Sequence, residues 1–325
     1  MKILTVTNMY PSESCPYFGV FVKEIVDGIK ARGIHVDLVN IVPPKSGGSY
    51  LSYCYCFFVL IFKRILNAYD VVYCHHAFCV FLCKILFFKN IVYTNHEGEF
   101  FKRSLIERVK DNAVRVSNVT IFVNKNMAEH YTKLYPDGNY IFQPCGLDFE
   151  KFPLVSMEEA KEILGLSLST EYIFFPADPQ RKEKNFSLLN EVYNSNHKYF
   201  NEMGCDIITG GSIPYEEMYL YYCACSVVVS CSEYESDGMI YKESLYCNRP
   251  FLSTDVGNAR FYSSLGDGVI YTDSESLFKS LKYFLGIKQN DKELKRATFN
   301  ECFSIDRYLD RVIRVFGIQL KQDSK

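Results

Sequence analysis

The chain has 325 residues, 48% of them hydrophobic and 23% charged, with a formal net charge of -2. That length is generous for one domain and comfortable for two, and the apolar fraction supports a large core. The near-neutral balance, with no long basic run, excludes the cationic footprint that a nucleic-acid partner needs.

The opening MKILTVTNMYP carries a short apolar run that breaks at Asn8 and Pro11. It lacks the longer apolar segment and small-residue cleavage site of a secretory signal. The expectation is a cytoplasmic protein whose 13 cysteines stay reduced. No CxxC pair occurs, and Cys54/Cys56 and Cys223/Cys225 are spaced too closely for a usual zinc site, so no metal is expected.

Lys2–Thr7 reads as a strand, followed by the loop Asn8–Gly19 and an amphipathic helix over Val20–Arg32. Gly19 has two readings, a turn or helix-start glycine or a close approach for a phosphate or sugar. A full GxGxxG is missing, which argues against a conventional dinucleotide site. His35–Ile41 reads as the second strand, and a helix follows around Ser52–Leu66. Tyr50–Leu66 is apolar around much of its circumference, with Tyr53, Tyr55, Phe57, Phe58 and Phe62 beside Lys63 and Arg64. It reads either as a buried helix covering a sheet or as an aromatic, weakly cationic helix lying on a membrane surface. Neither Leu51–Phe62 nor Ala77–Phe88 is long enough to cross a bilayer.

Further strands are read at Val71–Cys74, Ile91–Thr94, Val119–Val123 and Tyr140–Phe142, with helical stretches between them. Apolar runs without alternation suit parallel strands covered on both faces. The β-α-β alternation implies right-handed crossovers and a doubly wound sheet. Ligands of such sheets collect beyond the carboxyl ends of the strands. That rule singles out Asn95-His96-Glu97-Gly98, where His96 is either a donor to a ligand hydroxyl or phosphate or a capping histidine. His75 and His76, ending the preceding strand, are read as structural.

The turn-rich Pro144–Pro153 marks a boundary near residue 150. Beyond it come a short helix at Glu158–Leu164 and strands near Tyr172–Phe175, Asp206–Thr209, Ser226–Ser230 and Pro250–Ser253, then helices at Ser274–Leu285 and Ile305–Leu320. The divisions expected are 1–150, 151–303 and a final helix over 304–325. Ala177–Asn185 sets Arg181, Lys182 and Lys184 ahead of a helix, where cations and backbone N–H groups can meet a diphosphate; a solvated surface loop is the alternative. Glu235 sits in a loop and Glu243 on a helix beginning near Met239. A carboxylate there can accept from a ribose diol, and the backbone of Ser236, Asp237, Gly238 and Met239 would lie close to a diphosphate. As isolated residues, glutamates at this spacing are equally at home on a solvated helix.

Taken in order, MKILTVTNMYPSESCPYFGVFVKE, YDVVYCHH, IVYTNHEG, IFQPCGLDFEKF, FFPADPQRKEKN, the Glu235/Glu243 pair and PFLSTDVGN resemble the landmarks of glycosyltransferase family 4. These are retaining enzymes of the GT-B fold, and the similarity is to bacterial members that build capsule, O-antigen and teichuronic-acid glycans. The resemblance implies an α/β chain of two doubly wound Rossmann-like domains facing a central cleft. The first would be an acceptor domain, the second would bind the nucleotide-sugar donor, and the last helix would cross back to the first. It implies metal-independent transfer, with no cofactor, from a nucleoside diphosphate-sugar to a hydroxyl of a glycan or polyprenyl-linked glycolipid. The setting would be synthesis of lipopolysaccharide, capsule or a similar surface polysaccharide, in the cytoplasm, with weak contact to the inner membrane face.

Residue by residue, the resemblance gives Lys184 and Arg181 to the diphosphate, Glu243 to the ribose and Glu235 to the donor sugar. His96 would face that sugar from the first domain, and Gly19 would lie near the phosphates; His96, Lys184 and Glu235 would be catalytic. The pattern departs from the family at Cys145, Pro179, Ser236 and Asp237-Gly238. Two rival readings remain at this stage, a sugar-nucleotide epimerase on the same fold and a non-catalytic relative that binds glycan or nucleotide.

Overall fold

Apolar runs without alternation become the interior strands of two parallel sheets, as their coverage on both faces requires. The computed structural model describes residues 1–12, 15, 18–44, 47–97, 105–286, 299 and 302–323. Contacts divide the chain into two units, Met1–Gly146 with Ile305–Lys325, and Leu147–Ser304.

In the first unit the order is β1 (Lys2–Thr7), α1 (Val20–Ala31), β2 (His35–Asn40), α2 (Leu51–Leu66), β3 (Val71–Cys74), α3 (Ala77–Ile85), β4 (Ile91–Asn95), α4 (Leu105–Val116), β5 (Val119–Phe122), α5 (Lys125–Leu134) and β6 (Tyr140–Phe142). The strands pair in parallel in the order β2-β1-β3-β4-β5-β6. β3, β4 and β5 are buried at every residue, whereas β6, at the edge, is half-buried. One face of the sheet packs Leu4, Val72 and Tyr93 against Cys56 and Leu60 of α2 and Val80 and Cys83 of α3. The other packs Ile3, Val71 and Val92 against α1 and the last helix, Ile305–Asp323. Full burial of each such aliphatic side chain contributes about 1.5–3 kcal/mol.

That last helix buries Tyr308, Leu309, Val312, Val315 and Phe316, one stripe at helical spacing. It lies so close to α1 that a Cβ at Gly28 would stand 2.3 Å from Leu309 Cδ1. Gln143 Nε2 donates to the Tyr308 carbonyl at 2.8 Å, and Arg32 Nη2 pairs with Asp306 at 2.6 Å.

The second unit runs α6 (Met157–Ile163), β7 (Glu171–Phe175), α7 (Phe186–Ser195), α8 (His197–Met203), β8 (Cys205–Thr209), α9 (Met218–Ala224), β9 (Val227–Ser230), α10 (Met239–Tyr246), β10 (Phe251–Ser253), α11 (Ala259–Ser263), β11 (Gly268–Ile270) and α12 (Ser274–Leu285). Its parallel order is β11-β10-β9-β7-β8. β11 has no counterpart in the sequence reading, because three half-buried residues at a sheet edge carry too little apolar pattern to stand out. Two parallel-sheet α/β units make this a double Rossmann-like fold.

In each sheet the chain reverses its direction of growth once. The reversal falls between β1 and β3 in the first unit and between β7 and β9 in the second. Loops leaving the carboxyl ends of two such strands diverge to opposite faces and open a crevice for ligands.

Candidate functional site

In the second unit the loop after β7 reaches α7 through a single 3-10 turn, Lys182–Lys184, and the loop after β9 enters α10. β7 and β9 are paired neighbours, so these loops start side by side and touch before they part, although their residues lie far apart in sequence. Glu233 N donates to the Glu183 carbonyl at 3.0 Å, a backbone bond between them. Lys184 Nζ donates to Glu235 Oε1, and each side chain is only 15% exposed. Ser232 Oγ, buried two residues past β9, donates to the same carboxylate oxygen at 2.9 Å and fixes its direction.

Arg181 is placed differently. Its Nη2 and Nε both donate to Glu183 Oε1, at 2.7 and 2.9 Å, and its side chain is 55% exposed. The bond from Glu183's own N–H, and next the Arg181 guanidinium, hold the Glu183 carboxyl below its ordinary range. Lys184 is thus largely buried against Glu235, while Arg181 joins a solvated surface pair.

Glu243 sits on α10 and is buried, with Tyr222 OH donating to its Oε2 at 2.6 Å. Burial, and then the Glu243 carboxylate, push the Tyr222 phenol well above its ordinary value, so it remains a donor. Asp237 is buried too, and its carboxylate accepts from Lys242 Nζ at 2.6 Å, Asn258 Nδ2 at 2.7 Å and Tyr262 OH at 2.8 Å. That side chain is occupied within the unit, so contact with a ligand would fall to the Asp237 backbone. Gly238 caps α10 with φ 77°, and a Cβ there would stand 2.2 Å from the Tyr241 ring. Gly238 has no side chain with which to cap the helix, and in the first turn Tyr241 N donates to the Gly238 carbonyl at 3.2 Å. Ser236 joins Glu235 to this turn, and the backbone of Gly257, which follows β10, packs against both: a Cβ at Gly257 would stand 2.8 Å from the Ser236 carbonyl oxygen and 2.9 Å from Glu235 Cβ.

Ser232, Lys242, Gly257, Asn258 and Tyr262 are missing from the sequence reading. Gly257 and Asn258 lie within PFLSTDVGN, which did stand out, yet only contact reveals which of these residues brace the loop.

In the first unit the reversal point gathers a second group. Gly19 starts α1 with φ 75°, and a Cβ there would stand 2.2 Å from the Met9 carbonyl carbon. Its glycine requirement is met by this backbone approach alone. His96 follows β4, with Nε2 3.0 Å from His75 Nδ1, Nδ1 3.8 Å from Cys145 Sγ, and its ring 4.7 Å from that of Phe21. His75 is fully buried, and burial, then His96, hold its imidazole well below the ordinary 6.5. His76 caps α3, accepting from Phe78 N at 3.2 Å, and its Nε2 lies 3.3 Å from Glu97 Oε1. Gly98 lies outside the described residues. Among those described, no three His, Cys, Asp or Glu side chains are grouped to hold a metal ion.

No family model matches the chain, and no curated protein does. Solved structures do. A sucrose-phosphate synthase from Thermosynechococcus elongatus superposes with a TM-score of 0.75 at 16% identity, over 99% of this chain and 100% of that one. A glycosyltransferase from Rickettsia africae gives 0.73 at 14% identity, over 98% and 99%. Anabaena HepE, solved with UDP and glucose, gives 0.66 at 13% identity, again over 98% and 99%. The chain shares the fold of these proteins from end to end.

Proposed function

We propose that the chain is a glycosyltransferase that moves a sugar, with retention, from a nucleoside diphosphate-sugar to a hydroxyl of a glycan or lipid-linked glycan in cell-surface polysaccharide synthesis. The observation that carries this reading is the Lys184–Glu235 pair at the reversal point of the second sheet, joined by one short loop to the start of α10. Support comes also from the fold, shared with HepE in complex with UDP-glucose and with an Arabidopsis starch synthase bound to ADP and acarbose.

Each group then has a task that its surroundings suit. A diphosphate entering the loop meets the Lys184 ammonium and the N–H groups that open α10, both of which favour negative charge. Lys184 exchanges its carboxylate partner for phosphate, and Glu235, oriented by Ser232, turns its acceptor oxygens to the sugar hydroxyls. Glu243 accepts from the ribose diol. The acceptor hydroxyl attacks on the face the diphosphate leaves and gives its proton to a departing phosphate oxygen. Catalysis then rests on stabilising the leaving charge and holding the acceptor in place.

The test is a thermal-shift screen against UDP, GDP, ADP and their sugars, followed by transfer assays with the donor that raises the melting temperature most. Glu243→Gln keeps the partner of Tyr222 and should weaken the selected donor about tenfold or more, by about 1.5–3 kcal/mol. No stabilisation by any nucleotide, or unchanged donor affinity in Glu243→Gln, would remove the reading. Interconversion of the free donor without acceptor would point to an epimerase instead.

A further inference from the structure

Three side chains from distant parts of the first unit meet beyond the carboxyl ends of its strands. His75 follows β3, His96 follows β4, and Cys145 stands a short way past β6. His96 Nδ1 lies 3.8 Å from Cys145 Sγ, and its Nε2 lies 3.0 Å from His75 Nδ1. One ring thus faces a thiol with one nitrogen and a second imidazole with the other. That is the order of nucleophile, base and orienting group by which thiols are activated on unrelated folds. The segment carrying the thiol is held in place: Gln143 Nε2 donates to the Tyr308 carbonyl at 2.8 Å, and a Cβ at Gly146 would stand 2.6 Å from Ile305 Cα. Cys145 is also a position where the sequence departs from glycosyltransferase family 4, so the resemblance supplies no role for it.

The surroundings suit a proton that moves from sulfur to ring. His75 is fully buried, and burial, then His96, hold its imidazole well below the ordinary range, so it stays neutral and its Nδ1 can accept. Accepting from His96 Nε2–H leaves His96 Nδ1 as the acceptor that faces Cys145. The phenols of Tyr73 and Tyr308 also lie near the thiol; burial pushes the first up to about 12 and the second well above its ordinary value, so both stay neutral. Glu97, next to His96 in the chain, is turned to Lys110 Nζ at 2.7 Å and His76 Nε2 at 3.3 Å. A buried thiol among apolar neighbours packs as a small hydrophobe, whereas one that faces an imidazole nitrogen is poised to ionise. Cys145 is 8% exposed, an opening that suits only a small reagent.

We propose that Cys145, with His96 as its base and His75 orienting that base, is a modification site for small hydroperoxides. The thiol gives its proton to His96 Nδ1, and the thiolate attacks one oxygen of the peroxide. The S–O bond forms as the O–O bond breaks, so sulfur is oxidised by two electrons to a sulfenic acid and the peroxide is reduced. With hydrogen peroxide the departing hydroxide takes the proton from His96 and leaves as water. His75 accepts the Nε2–H of His96 through both proton transfers and touches neither sulfur nor oxidant; it is a positioning residue. A small dithiol restores the cysteine, condensing with the sulfenic acid as water is lost and then closing on itself. The modified residue is the last but one of the first unit before the chain enters the second.

The experiment treats the full chain with hydrogen peroxide and dimedone, a trap for sulfenic acid, and reads each cysteine by peptide mass spectrometry. Near neutral pH, Cys145 should be trapped ahead of Cys54 and Cys302, although those two are exposed and it is buried. Its rate should pass through a maximum on the acid side of about pH 8.5, where an ordinary thiol half-ionises, because thiolate and imidazolium must coexist. His96→Asn loses the base and the proton for the leaving oxygen. It should react about 100-fold more slowly, at a rate that climbs through about pH 8.5. His75→Leu should react about tenfold more slowly, and His75→Asn, whose amide oxygen stands near the place of Nδ1, within about threefold of wild type. Glutathione disulfide, too large for the opening, should modify Cys302 and leave Cys145 unmodified. The proposal is overturned if Cys145 stays untrapped while Cys302 is labelled, or if folded His96→Asn reacts like wild type. Where that variant fails to fold, wild type still decides: a rate that only climbs through about pH 8.5 overturns it. Equal losses in His75→Leu and His75→Asn overturn the role of His75, and modification of Cys145 by glutathione disulfide as fast as by peroxide overturns the choice of oxidant. Only the state of the sulfur is read, so the outcome does not depend on sugar transfer.

Discussion

Lys184 and Arg181 stand three positions apart in one loop, yet Lys184 pairs with Glu235 with both side chains only 15% exposed, whereas Arg181 pairs with Glu183 and is 55% exposed. Lys184→Ala should therefore reduce kcat/KM by about 10–100-fold through lost leaving-group stabilisation, with Arg181→Ala within about threefold of wild type. Equal losses in the two variants, measured with the same donor, would mean that Arg181 leaves Glu183 to serve the diphosphate. His75 offers a test in the other unit. Its folded imidazole resists protonation, whereas the unfolded one takes up a proton below about pH 6.5. Its contribution to stability is complete above that pH and is lost on acidification, by about 1.4 kcal/mol for each pH unit. Urea unfolding at about pH 7.5 and 5.5 should show this slope in wild type and a flatter one in His75→Leu. An identical slope in both would remove His75 as its source.

At the scale of elements, the site depends on how α10 begins. The helix cannot start earlier, because Gly238 adopts a left-handed conformation that a side chain would bring against Tyr241. The loop before it is drawn inward by Asp237, which meets Lys242 from the helix and Asn258 and Tyr262 from the α11 segment. Asp237→Asn strands a fully buried ammonium and should cost about 3–5 kcal/mol in chemical unfolding. Asp237→Asn/Lys242→Met removes both charges and should recover most of that loss. If the double variant regains stability but not donor affinity, the ion pair serves to hold the Glu235 loop in place. If it regains neither, the effect lies in packing.

At the scale of the whole molecule, the proposed reaction places the neutralisation of a diphosphate on Lys184 and on helix N–H groups. Turnover should therefore stay within about twofold in the presence of a chelator; complete loss, restored by magnesium or manganese, would move that task to a metal. None of the 13 cysteines forms a disulfide, and all but Cys15, Cys54 and Cys302 are buried. Burial pushes several thiols up, Cys231 to about 11 and Cys205 and Cys225 to about 12, so they pack as small apolar groups.

The sequence by itself determined the fold class and the interior strands. A strand covered on both faces is apolar without alternation through its length, and Val71–Cys74, the Ile91-Val92-Tyr93 run and the Val227-Val228-Val229 run show this openly, with polar residues only at the carboxyl ends of the last two strands. It also placed the loops to inspect, because ligand crevices follow strand ends. Contacts between distant segments were decided only by the tertiary structure. Lys184 and Glu235 lie 51 positions apart, and no local pattern encodes the strand order that joins them. Nor does periodicity reveal that Asp237 turns inward, that β11 completes a sheet edge, or which side of α2 faces solvent. Hydrophobic periodicity records how many faces of an element are apolar; what covers each face depends on neighbours brought in by the rest of the chain.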